Sequence, residues 1–188
     1  DEHTDATRVS LEDLAQRIIA TGFEYLVTAS HCVSLGMLSY ADQQRISELV
    51  ATAKIGVVTL PHTNLFLQGR DQQTATPRGL TAIKALREAG VLVAAGADNL
   101  QDPFNPIGRG DPLESAALLI LTAHQLPQDA FDAVSCVARK VIGLGESGPV
   151  VGALADLMLT PSTSIREAIA LSPPRTLVMH LGRITHIG

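Results

Sequence analysis

Tryptophan is absent from the 188 residues, aromatic residues make up only 3%, and the formal net charge is −5. So few stacking rings exclude a base-stacking platform, and the lack of a basic footprint argues against a nucleic-acid partner. No polybasic patch is present to hold an anionic membrane. Long apolar runs are missing too. The longest, Ala116 to Ala123, is interrupted by Thr122, far short of the roughly 20 residues of a spanning helix. The two cysteines, Cys32 and Cys136, have no metal-type spacing. The opening Asp1-Glu2-His3-Thr4-Asp5 is polar and acidic, unlike a secretion signal. These features predict free thiols in a cytoplasmic protein. Hydrophobic residues at 46% and charged residues at 18% leave an ordinary globular composition, long enough for one sizeable core.

Strand-like and helix-like segments alternate along the first two-thirds. Ser10 predicts an N-cap, with Asp13 three residues on and Leu14, Ile18 and Ile19 at helical spacing; Gly22 ends that helix. Tyr25–Ala29 reads as a buried strand leading to Ser30-His31. A helix over Ala41–Ala53, a strand over Ile55–Leu60 stopped by Pro61, and a loop with Gln68-Gly69-Arg70 and Pro77 follow. Next come a helix over Leu80–Ala89 and a strand over Val91–Ala95, which runs into Gly96-Ala97-Asp98-Asn99. Repeated βα units of this size predict parallel strands with crossover helices. After Pro112, Leu113–His124 and Asp129–Ala138 read as helices. The glycine-rich Gly143–Gly152 leads to short strands at 155–160, 176–179 and 182–185, part of a small β domain. Two architectures fit the parallel part: an open doubly wound sheet, or about half of a (β/α)₈ barrel, which needs roughly 250 residues.

In either architecture ligands sit at the C-terminal strand ends, and here those ends carry His3, His31, His62 and Asp98. Imidazole and carboxylate are natural ligands for a single catalytic divalent metal, Zn²⁺ or Fe²⁺. Such an ion lowers the pKa of bound water to about 7, and a neighbouring carboxylate can take and return the proton. One strand-end histidine by itself is more often a hydrogen-bonded structural residue, and Asp98 by itself reads equally as a capping or loop carboxylate. Gly143, Gly145 and Gly148 follow a helix and lead towards a β segment, the wrong order for a phosphate loop.

Val27-Thr28-Ala29-Ser30-His31, Leu67-Gln68-Gly69-Arg70 and the run Gly96 to Gly108 (GADNLQDPFNPIG) resemble consecutive signatures of bacterial cytosine deaminases in the amidohydrolase superfamily. Gly152 to Leu159 is similar to that superfamily's return into its β-sandwich. The resemblance implies an α/β fold: the C-terminal half of a (β/α)₈ TIM-type barrel over residues 1–142, plus part of the small β-sandwich over 143–188. Strands five to eight would end at His3, His31, Pro61 and Asp98. His3 and Asp98 would be metal ligands, Asp98 also the base, and His31 the partner of the metal-bound hydroxide or of the atom it attacks. Gln68, Asn99 and His62 are the expected substrate-facing residues. The family's two first-strand histidines do not occur here, and an N-terminal barrel half is expected to complete the site.

Two departures from the pattern fall on substrate-facing positions. The family's glutamate three residues after the fifth-strand histidine, a proton shuttle, is Ala6 here, and its second eighth-strand aspartate is Asn99. Asp5 lies on the face of His3 if the strand persists, and so stands as a third candidate catalytic residue; a capping or loop carboxylate is the alternative. Cys32 should point away from His31 into the core, with no base placed to activate it. His124, His180 and His186 read as structural. The expectation is a hydrolase attacking a C–N bond of a small nitrogen heterocycle. Cyclic-amide or ring-opening hydrolysis, and a catalytically lapsed binding protein on the same fold, are the alternatives. A homo-oligomer stays open.

Overall fold

A computed structural model of the chain describes all 188 residues. Three parallel strands, β1 (Val27–Ser30), β2 (Ile55–Thr59) and β3 (Val93–Ala95), lie side by side in sequence order. Val27 aligns with Ile55, and Val57 with Val93. Parallel neighbours need crossovers, supplied by α2 (Tyr40–Thr52) between the first pair and by α3 (Pro61–Leu67) and α4 (Ile83–Glu88) between the second. Helix α1 (Ser10–Thr21) precedes β1, and a 3₁₀ turn spans Val33–Met37. Leu11, Ile18, Ile46, Val50, Val57 and Leu86 form the shared core between helices and sheet.

Helices α5 (Pro112–Ala123), α6 (Pro127–Ala133) and α7 (Cys136–Val141) follow β3. Val141 seats α7 against the sheet at Gly56, where an added Cβ would stand 3.0 Å from a Val141 methyl. The tail is an antiparallel sheet of β4 (Leu157–Leu159), β5 (Leu177–His180) and β6 (Arg183–Ile187), with α8 (Ile165–Leu171) between β4 and β5. No helix is long and apolar enough to cross a membrane.

Several local expectations change. Ser10 is the first residue of α1 and not its cap: Val9 holds that position without a side-chain bond, and the Asp1 carboxylate accepts the Ser10 N–H at 3.1 Å. The helix expected over Asp129–Ala138 breaks at Val134–Ser135. Ser135 Oγ donates back to the Phe131 carbonyl at 2.6 Å, the kind of local bond that competes with helix continuation. The segment after Pro61, expected as loop, is α3, with Pro61 at its first turn, where a missing N–H costs nothing. Helix α8 is capped by Ser164, whose Oγ accepts the Glu167 N–H at 3.1 Å. Strand β1 alternates half-buried and exposed residues, and Tyr25 and Leu26 before it are exposed, unlike the fully buried strand expected.

No strand ends at His3. Residues 1–9 are irregular. The Asp1 carbonyl accepts the Val33 N–H at 3.1 Å, and the Asp1 carboxylate accepts the Ser34 N–H at 3.0 Å. These bonds tie Asp1 to the 3₁₀ turn after β1 and not to a neighbouring strand.

Candidate functional site

His31 and Asp98 follow β1 and β3, on the same side of the sheet, and both have left-handed backbone (φ 65° and 67°). Outliers of this kind store strain and concentrate at functional sites. The His31 N–H still bonds the Val58 carbonyl at 3.0 Å, so the ring is mounted on the sheet. Its side chain is buried. Nδ1 lies 3.0 Å from Asn64 Oδ1, and Nε2 lies 3.2 Å from Glu2 Oε1 and 3.7 Å from Asp98 Oδ2. The structure thus brings His31 and Asp98 together and adds Glu2 and Asn64, which the sequence reading did not single out.

Asn64 reaches His31 because α3 turns directly off β2. Three consecutive residues of its first turn aim at three different segments of the chain. His62 Nε2 is 3.6 Å from Glu114 Oε2 in α5. Thr63 Oγ lies 3.1 Å from Asn99 Oδ1 and accepts the Asn99 N–H at 3.2 Å. Asn64 meets His31. Gly79 lets the following chain pass: its φ is +62°, and a Cβ there would lie 2.6 Å from the Asn64 carbonyl oxygen.

The other expected residues fall as follows. The His3 Nδ1 is buried without a hydrogen-bond partner. Gln68 Nε2 donates to the Glu2 carbonyl, beside His3. Asn99 spends both ends of its amide inside the protein, on Thr63 and on Asp102 Oδ2 at 2.6 Å. Asp102 also accepts the Phe104 and Asn105 N–H groups; burial alone would push its carboxyl pKa up, and these bonds outweigh it and hold it low. The loop from Gly96 to Gly108 is therefore internally braced. His62 is buried, with burial lowering its pKa further than the Glu114 carboxylate raises it.

Asp5 does not share a strand face with His3, because residues 6–7 form a turn. Its carboxylate accepts the Thr7 hydroxyl at 2.6 Å and the Thr7 N–H at 2.9 Å, which hold its pKa low. That is the capping alternative. Cys32 is buried as expected, though on left-handed and not extended backbone (φ 51°), and burial pushes its thiol up to about 11. His180, which read as structural, bonds Asp156 at 2.9 Å.

Within this chain no group of three His, Cys, Asp or Glu side chains is arranged to hold a metal ion by itself. The donors fit a divalent ion in part: a buried, unpartnered imidazole nitrogen on His3 and a carboxylate on Asp98 are the hard and borderline donors such ions take. A cavity of about 800 Å³ lies away from these residues, between α5–α7 and the small sheet.

A model of the amidohydrolase family matches residues 2–186. The chain is 32% identical over 188 residues to a pterin deaminase of Rhizobium rhizogenes, covering 98% of this chain and 43% of that protein. Among solved structures, the 5-methylcytosine deaminase of Klebsiella pneumoniae superposes with a TM-score of 0.91 at 26% identity, covering 100% of this chain and 47% of that one. The N-isopropylammelide isopropylaminohydrolase of Burkholderia multivorans does so with 0.77 at 30%, covering 93% and 43%. The chain therefore spans somewhat less than half the length of these relatives. With the family match running over nearly all of its residues, the chain belongs to the amidohydrolase family.

Proposed function

We propose that residues 1–142 are the second half of a (β/α)₈ hydrolase barrel and residues 143–188 part of its small β-sandwich, completed by an N-terminal half. The completed enzyme hydrolyses a C–N bond of a small nitrogen heterocycle. The observation that carries this reading is the meeting of His31 Nε2 with the Asp98 and Glu2 carboxylates at the ends of two parallel strands. Ligand sites occur at that end of such sheets. The relatives named above, acting on a pterin, 5-methylcytosine and N-isopropylammelide, support the substrate class.

In the reaction, a water oxygen bonds to the ring carbon that bears the leaving nitrogen. Asp98 accepts the proton the water loses and returns it to the departing nitrogen, which leaves as ammonia or an amine; the proton left on the new hydroxyl passes to the adjacent ring nitrogen as the ring carbon becomes a carbonyl. His31, fixed on the sheet, holds the water or the attacked atom. Gln68 and His62 stand nearest to a substrate role, Gln68 through the segment it braces at Glu2–His3. Asn99 supports the pocket wall through Thr63 and Asp102. His3 and Asp98 would hold one Zn²⁺ or Fe²⁺ together with ligands from the other half. The ion would supply Lewis-acid activation of the water at neutral pH.

Ala6 favours a second reading, ring-opening hydrolysis of a cyclic amide, because that reaction does not need the family's glutamate in the same role. Incubating the metal-loaded complete protein with aminopyrimidines, pterins, aminotriazines and cyclic ureides separates the two. Ammonia or amine release without ring opening supports the first reading; ring-opened acids support the second. No turnover of any compound, with less than one metal per chain, would mark a lapsed binding protein.

A further inference from the structure

The first turn of α3 carries an assignment beyond the reading above, on which it rests. Asn64 is almost wholly buried. Its Oδ1 lies 3.0 Å from His31 Nδ1 and its Nδ2 is buried without a partner, so the imidazole is the one group with which this amide side chain bonds. Which nitrogen of a neutral imidazole carries the proton is set by the bond made at the other. An amide oxygen can only accept. We propose that Asn64 is a positioning residue that holds His31 with its proton on Nδ1, leaving a bare lone pair on Nε2.

The consequence lies on the other side of the ring. Nε2 in this form is an acceptor, and it stands 3.2 Å from Glu2 Oε1 and 3.7 Å from Asp98 Oδ2. Acceptors that converge on one point repel unless a donor stands among them, and a site with several polar partners beside a buried ring suits a water molecule. A water giving one proton to Nε2 and one to Asp98 keeps its oxygen lone pairs for the ring carbon it attacks. Asn64 thus orients the nucleophile through His31, without touching substrate. Thr63 and Gly79 support it, Thr63 by tying α3 to the loop after β3, Gly79 by letting the chain pass close over the Asn64 carbonyl.

The test reads the ring directly. In the complete protein with ¹⁵N-labelled histidine, two-bond ¹H–¹⁵N correlation, assigned by loss of the signal in His31→Gln, reports which nitrogen of neutral His31 is protonated. A pyrrole-type Nδ1 and a pyridine-type Nε2 are expected. In Asn64→Leu the pattern should revert to the Nε2–H form that histidine favours in water. Asn64→Asp, which keeps an acceptor, should preserve Nδ1–H. With substrate, Asn64→Leu should lower kcat by about 10- to 100-fold, the range for partners that orient a functional imidazole, with KM little changed and Asn64→Asp recovering part of the loss. Wild-type protein with the proton on Nε2 overturns the proposal, whether or not the leucine variant folds. Should His31→Gln turn over like wild type while wild-type His31 is protonated on Nδ1, the catalytic reading fails and the tautomer assignment stands.

Discussion

His31 and Asp98 hold left-handed backbone without being glycine, at a cost on the order of 1–3 kcal/mol each, and the strand-end geometry that maintains them also points both side chains to one place. Asp5 is different. Its carboxylate is spent on Thr7, and Asp5→Asn retains an acceptor for that turn. Turnover of the complete enzyme should stay within about twofold of wild type, as for surface changes away from a site; a loss of about 100-fold, the scale of general-acid catalysis, would restore Asp5 as a proton carrier. His62 makes a pH prediction. Burial lowers its folded pKa below the ordinary value, so the unfolded chain binds the proton first. The stability this neutral ring allows is complete above about pH 6.5, the unfolded histidine pKa, and is lost as pH falls through the depressed folded value. Urea unfolding of His62→Leu should show a flatter pH dependence below about pH 6.5; an unchanged slope would place the titration elsewhere.

At the scale of elements, Asp111 joins the parallel-sheet segment to the tail. It caps α5 by accepting the Leu113 N–H at 3.0 Å, and it also accepts from Ser172 Oγ at 2.6 Å and from Arg175. Burial pushes its carboxyl pKa up, but these three bonds together bring it below the usual range. Asp111→Ala should cost about 0.5–2 kcal/mol from the cap alone, read by urea unfolding at neutral pH. The folded pKa is depressed, so the contribution is present above the unfolded carboxylate pKa and fades as pH falls through the folded one; the gap between variant and wild type should narrow in acid. A gap that widens there contradicts this linkage. Gly79→Ala places a Cβ against the Asn64 carbonyl at φ +62° and should cost about 1–3 kcal/mol together with a fall in kcat, because α3 must shift. Unchanged stability and turnover would show that α3 is not held there.

The same elements show what the sequence could reveal. The βα rhythm, the three parallel strands and the three short tail strands follow from apolar periodicity, and His31 and Asp98 from their places at strand ends. Helix α3 escaped because Pro61 reads as a stop, and His62-Thr63-Asn64 lacks an apolar stripe; its role comes from tertiary partners on two loops and helix α5. With α3 went Asn64. Helix α8 had a readable signal, Ser164-Ile165-Arg166-Glu167, a capping box before Ile169. Glu2 carried none, since its carboxylate reaches His31 from an irregular segment. The strand expected at His3 is not seen: residues 1–9 are irregular, and Asp1 is tied to the 3₁₀ turn after β1.

For the whole molecule, the chain covers 43–47% of the relatives it resembles, and no group of three His, Cys, Asp or Glu side chains within it is arranged to hold a metal ion. Under the proposed barrel, ligands from the other half must close the metal site. Chelation should therefore abolish turnover of the complete enzyme, and added Zn²⁺ or Fe²⁺ should restore it; chelator-resistant turnover would remove the metal from the mechanism. The most direct test of hydrolysis at a C–N bond with Asp98 as the proton acceptor is kcat for ammonia or amine release by metal-loaded Asp98→Asn against wild type. A fall of at least about 100-fold is expected, with the fold intact by circular dichroism; turnover within about twofold of wild type would contradict it.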